Sequence, residues 1–165
     1  MVDKTDSRSG PLRLVCFELR GQELALPIDD VRETLPIQPI TRVVLTPSAL
    51  AGVFSLRGDI VPAIDLGVLL GFPRTEIGDD SRIVVLDQET KTAGIVVDRL
   101  RDLRTLEEQT LEPPPPSLPA DVSELLLGIA ATPTGTVRVL DAAAIIAAEP
   151  LRALAKRDAE QEGKS

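Results

Sequence analysis

The chain lacks histidine, tryptophan and tyrosine altogether, and its 165 residues include three phenylalanines and one cysteine. The missing histidines remove the usual general base, the commonest zinc ligand and both the Ser/His and Cys/His nucleophile pairs. So few aromatic rings leave no stacking platform for bases, and a net charge of −8 repels phosphate backbones and anionic lipid surfaces. Nucleic acid is therefore not expected as a partner. One cysteine cannot close an intrachain disulfide, which fits a reducing compartment. Cys16 lies in Leu14-Val15-Cys16-Phe17, where a free thiol packs as a small hydrophobe. No run approaches the roughly 20 apolar residues of a membrane span, and Met1 to Gly10 has no apolar signal core. These features predict a soluble cytoplasmic protein with no direct membrane insertion.

Phosphate-binding glycine motifs are also missing, both GxGxxG and GxxxxGK[ST]. Asp29-Asp30 and Asp79-Asp80 lack the alternating oxygen donors of a calcium loop. Asp59 and Asp65 are the nearest thing to a catalytic carboxylate pair. A hairpin turn accounts for Asp59 and a helix cap for Asp65. The reading is of a protein with no catalytic residues, no metal and no cofactor, that is, not an enzyme.

What the chain does contain is itself, twice. Leu14-Val15-Cys16-Phe17-Glu18 recurs 69 residues on as Ile83-Val84-Val85-Leu86-Asp87, and Ala25 to Glu33 recurs at the same offset as Gly94 to Asp102. The segment from Gly52 to Leu66 recurs 76 residues on, from Gly128 to Ala142, so the second copy carries a seven-residue surplus. A unit of about seventy residues sits near the lower limit for folding alone, so the two copies are expected to share an apolar interface. The unit is β-rich. Strands are predicted over Arg13 to Leu19, Glu23 to Pro27, Val31 to Pro36, Gly52 to Leu56 and Asp59 to Ile64. In the second copy they are predicted over Arg82 to Asp87, Ala93 to Val97, the stretch around Leu100, Leu103 and Leu106, Leu125 to Ala130, and Thr136 to Leu140.

Arg57-Gly58 makes the tight turn of a hairpin, with glycine supplying a positive φ. Asp65 and Asp141 are predicted to cap short helices over Leu66 to Leu70 and Ala142 to Ala148, each cap contributing about 1 kcal/mol. Glu112-Pro113-Pro114-Pro115-Pro116-Ser117-Leu118-Pro119 carries the surplus. It is read as an exposed insertion loop, partly polyproline II, in preference to a ligand for an SH3 or WW module. Surface recognition is then the remaining role. Arg57 is displayed at a turn, Val31 and Leu35 flank Glu33 on a half-exposed strand, and arginine with isolated apolar residues makes effective hot spots.

Gly21 to Glu33, then Gly52-Val53-Phe54-Ser55-Leu56-Arg57-Gly58-Asp59-Ile60-Val61-Pro62-Ala63-Ile64-Asp65-Leu66, then Arg82-Ile83-Val84-Val85 with Gly94-Ile95-Val96-Val97-Asp98, together resemble the CheW family of chemotaxis coupling proteins. The resemblance runs in order over about residues 12–148. It implies an all-β fold of two packed SH3-like five-stranded barrels, with short helices after each barrel and at the C-terminus. A first barrel is expected over about 12–72 and a second over about 82–141, with a strand exchange between them allowed for. Residues 1–11 are expected to be a flexible start and 149–165 a charged tail. The resemblance further implies a non-catalytic adaptor, held at receptor arrays on the inner membrane. Its partners would be a chemoreceptor cytoplasmic tip and the regulatory domain of a CheA-type histidine kinase. By motif position the receptor-binding residues would be Val31, Glu33, Leu35, Arg57 and Gly58. Two departures stand out: Ser55 occupies a position where the family usually has Asn, and the proline loop is longer than usual. They raise the alternative of a paralogue binding only receptor or only kinase in a motility or developmental pathway.

Overall fold

The computed structural model describes residues 10–148, so most of the expected flexible start and all of the expected charged tail lie outside the described residues. Ten strands make up the described chain: β1 (Pro11–Leu19), β2 (Gln22–Pro27), β3 (Val31–Pro36), β4 (Leu50–Leu56), β5 (Asp59–Ile64), β6 (Arg82–Gln88), β7 (Lys91–Val97), β8 (Arg99–Glu107), β9 (Leu126–Thr132) and β10 (Gly135–Leu140). Three short α-helices join them, α1 (Leu66–Leu69), α2 (Ala120–Ser123) and α3 (Ala142–Ile146), with single 3-10 turns over Ile28–Asp30 and Glu108–Thr110. The first and last are those expected from the sequence, each shorter at its C-terminal end. The second, between the proline loop and β9, was not expected.

The strands form two five-stranded sheets, in the orders β8-β1-β2-β10-β9 and β3-β6-β7-β5-β4. Strands are exchanged between the stretches 12–72 and 82–141. The hairpin β1–β2 joins the C-terminal strands, and β6–β7 joins β3, β4 and β5, so each copy is divided between the sheets. The duplication nonetheless maps one sheet onto the other strand by strand. Leu14 opposite Pro27 becomes Ile83 opposite Val96, and the parallel pair Val139 with Ala25 becomes Ala63 with Gly94. Even the irregularities repeat: the register shifts at Val15/Phe17 in one sheet and at Val31/Glu33 in the other.

Each sheet is closed by the segment that follows its edge strand. Thr41 bridges Val53, and Glu112 bridges Ile129. Gly52 and Gly128 make the approach possible. A Cβ at Gly52 would lie 2.2 Å from the Thr41 carbonyl oxygen, and one at Gly128 would lie 2.8 Å from that of Glu112. This explains why the recurring segment begins with glycine in both copies.

The largest core lies between the barrels. Nineteen buried residues drawn from both sheets and the helices form it, including Phe17, Leu24, Leu26, Ile64, Val84, Leu86, Ile95, Leu140 and Ile145. The cores belonging to single sheets hold only six buried residues (Phe54, Val61 and Ile83 among them) and five (Leu14, Cys16 and Val139 among them). Most apolar burial is therefore shared, and burial at about 25 cal/mol per Å² is the main stabilising term, so packing the barrels together supplies much of the stability of both. The proline run is mostly exposed, with Leu118 packed against the shared core.

Candidate functional site

The site is built from the edge strand β3 and the β4–β5 turn. Along β3 the exposed residues Arg32, Thr34 and Pro36 alternate with the half-buried Val31, Glu33 and Leu35, as an edge strand on a core requires. Val31 packs against the shared core and Leu35 against the core of its own sheet. Glu33 lies between these apolar anchors, its side chain 20% exposed.

Arg57 and Gly58 are the two central residues of the β4–β5 turn, with φ of +50° and +89°. Two positive φ values define the tight turn whose twist matches a hairpin. The sequence reading assigned positive φ to glycine alone; Arg57 adopts it as well. That backbone directs the Arg57 side chain to Glu33. Nη1 donates to Oε2 at 2.6 Å and Nη2 donates to Oε1 at 2.9 Å, a two-point fork. The fork ties β3 to the β4–β5 turn, yet the arginine side chain remains 65% exposed.

The fork's hydrogen bond to Arg57 is the largest influence on Glu33. It holds the carboxyl below the ordinary glutamate range against the opposing effect of burial, and the charges of Arg57 and Arg32 add to it. The same bond pushes the Arg57 guanidinium above its ordinary value. Both groups are thus charged across the physiological range.

The structure brings Glu33, Arg57 and Gly58 together, with Val31 and Leu35 on the same strand but turned partly into the cores. The sequence reading missed Arg32, whose Nε lies 3.7 Å from Glu33 Oε2 and 3.9 Å from Asp87 Oδ2. A signal for it existed in the duplication. Arg101 and Glu18, the counterparts of Arg32 and Asp87, also pair, at 3.2 Å. Ser55 is exposed on β4.

Asp65 and Asp141 both cap helices as expected, accepting from the Val68 and Ala144 N–H groups at 3.2 Å each. Asp59 opens β5 and is exposed. Elsewhere, Cys16, Glu23 and Asp102 bring their ligand atoms within 4.8 Å of one another. Arg104 already serves as the counter-cation there, 3.1 Å from Glu23 and 3.9 Å from Asp102. Burial, with Glu23 adding, pushes the Cys16 thiol up to about 11.

Two small β-barrels packed on a common core, with a rigid charged fork displayed at the seam of one, define a protein-recognition scaffold. Comparison with known proteins agrees. The family model for the CheW-like domain matches residues 13–149. The Bacillus subtilis chemotaxis protein CheW is 28% identical over 134 residues, covering 81% of this chain and 86% of that protein. The Klebsiella aerogenes chemotaxis protein CheW is 29% identical over 150 residues, covering 91% and 90%. Protein FrzA of Myxococcus xanthus is 33% identical over 115 residues, covering 69% and 71%. Among solved structures, the scaffolding protein TtCheW from Thermoanaerobacter tengcongensis superposes with a TM-score of 0.72 at 31% identity, over 79% of this chain and 84% of that one. The chain belongs to the CheW-like family, and it is a chemotaxis adaptor of the double SH3-like barrel type.

Proposed function

We propose that this protein physically couples a chemoreceptor to a CheA-type histidine kinase without catalysing a reaction, and that Val31, Glu33, Leu35, Arg57 and Gly58 form its receptor-binding face. The observation that carries the reading is the Arg57–Glu33 fork. A two-point ion pair on an exposed turn is a weak source of stability, because solvent screens it. Its value lies in fixing one guanidinium orientation, so that a partner meets a preorganised arginine beside apolar contacts. The receptor tip meets this face and the kinase's regulatory domain meets other surfaces, at receptor arrays on the cytoplasmic side of the inner membrane. Among the described residues no helix is long and apolar enough to cross a membrane, so attachment is through partners. The absence of histidine from the sequence and the capping duties of Asp65 and Asp141 support a non-catalytic role.

The test is calorimetric titration of a receptor-tip fragment into the wild type, Arg57→Ala and Arg57→Glu. Both variants keep the wild-type melting temperature and bind at least about tenfold more weakly, as for a hot-spot arginine. Unchanged affinity in both variants refutes the assignment of this face. A second reading is favoured by Ser55, by the long proline loop and by the similarity to FrzA: a paralogue that binds receptor or kinase but not both. Titration against each partner separately distinguishes it from the coupling role.

A further inference from the structure

The first sheet carries a polar cavity that the coupling role does not use. It opens where the β1–β2 and β9–β10 turns emerge, has a volume of about 460 Å³, and is lined by Glu18, Gln22, Arg101, Thr134, Thr136 and Arg138 among others. That volume is in the range of pockets that seat small ligands, roughly 300–1,000 Å³. Its wall carries two carboxylates and two guanidinium groups, Glu18 and Glu23 with Arg101 and Arg138. Arg101 pairs with Glu18 at 3.2 Å, and Glu23, also on the wall, pairs with Arg104 at 3.1 Å. Arg138 has neither a hydrogen bond nor an ion pair from its side chain among the described residues, and the Gln22 side-chain oxygen is buried without a donor. The cavity therefore offers, among the described residues, a guanidinium without a partner and the Thr136 hydroxyl.

The duplication shows which of these groups are particular to this barrel. The counterparts of Arg101 and Glu18 are Arg32 and Asp87, so the flanking ion pair is present in both copies. The counterparts of Thr136 and Arg138 are Ile60 and Pro62, which can offer no side-chain hydrogen bond. Because β9–β10 and β4–β5 pair in matching register, with Val137 opposite Ala130 and Val61 opposite Phe54, the difference is one of side-chain chemistry.

We propose that this cavity binds a carboxylate, anchored by the Arg138 guanidinium and oriented by the Thr136 hydroxyl. The carboxylate comes either from a small free dicarboxylic acid or from an acidic side chain of a protein segment.

The experiment is a two-dimensional NMR titration of the full chain with succinate and, separately, with the blocked peptide acetyl-Gly-Glu-Gly-amide, each at ionic strength matched with sodium chloride. Saturable amide shifts are expected at Thr134, Thr136 and Arg138 for at least one probe. Arg138→Gln weakens that binding by about tenfold or more, as for a lost charged hydrogen bond, while Arg74→Gln, outside the cavity, leaves it unchanged. Arg138→Lys keeps the charge without the fork and binds between the two, which preserves the test if the glutamine variant folds poorly. A response to succinate alone assigns a small-molecule source, and a response to the peptide alone assigns a partner side chain. A response to both shows that the carboxylate suffices. No saturable shift with either probe, or equal affinity in wild type and Arg138→Gln, overturns the proposal.

Discussion

Asp65 and Asp141 occupy the same position of the repeat and make the same cap, yet their substitution should have very different consequences. Asp141 accepts one side-chain hydrogen bond, from Ala144 N–H. Asp65 is 3% exposed, and its carboxylate accepts three: Val68 N–H at 3.2 Å and the Thr75 hydroxyl at 2.7 Å on Oδ1, and Thr75 N–H at 2.8 Å on Oδ2. Asp141→Ala removes a cap and should cost about 1 kcal/mol. Asp65→Ala removes the same cap and also leaves the Thr75 donors without an acceptor, which adds about 1–3 kcal/mol for an unsatisfied polar group. The total of about 2–4 kcal/mol corresponds to a fall in Tm on the order of 10 °C for a chain of this size. Asparagine separates the two contributions. It caps a helix as well as aspartate does, so Asp141→Asn should cost less than about 0.5 kcal/mol. Asp65→Asn keeps Oδ1 on the cap and turns an N–H₂ group toward Thr75 N–H, donor against donor, at a cost of about 1–3 kcal/mol. Urea unfolding followed by circular dichroism, with linear extrapolation, measures all four. Equal losses for Asp65→Asn and Asp141→Asn would refute the reasoning, because the cap would then be the whole function of both carboxylates.

Other outcomes follow from the same structure. The depressed folded value of Glu33 means that the fork's contribution is complete above the ordinary glutamate range and is lost as pH falls through that depressed value. NMR titration should therefore give Glu33 a midpoint below the ordinary value, and Arg57→Ala should raise it. Gly52→Ala must place a methyl group 2.2 Å from the Thr41 carbonyl oxygen at a φ of +150°, so it should destabilise by about 2–4 kcal/mol in urea unfolding. Gly128→Ala meets its carbonyl at 2.8 Å without positive φ, and should cost less. Cys16, 1% exposed with its thiol pushed up to about 11, should resist iodoacetamide at pH 8 in the folded protein and react on unfolding.

Several features of this protein were set by sequence alone, because they depend on local chemistry or on a repeat visible in one dimension. The alternation of Val31 to Leu35, the turn at Arg57-Gly58 and the caps at Asp65 and Asp141 arise from residues within a few positions of one another. Comparing two copies at offsets of 69 and 76 identified a duplicated β unit, and the same offsets later matched strand to strand and bulge to bulge. Tertiary structure decided what required long-range pairing. Which hairpin joined which sheet was undetermined, since β1–β2 and β6–β7 have the same pattern and each could complete either barrel. The shared core decides the exchanged arrangement only once all ten strands are in place. The extra bonds from Thr75 to Asp65 and the Arg57 fork on Glu33, 24 residues away, were likewise beyond local inference. So was the cavity at Arg138, whose lining comes from turns and strands far apart in the chain.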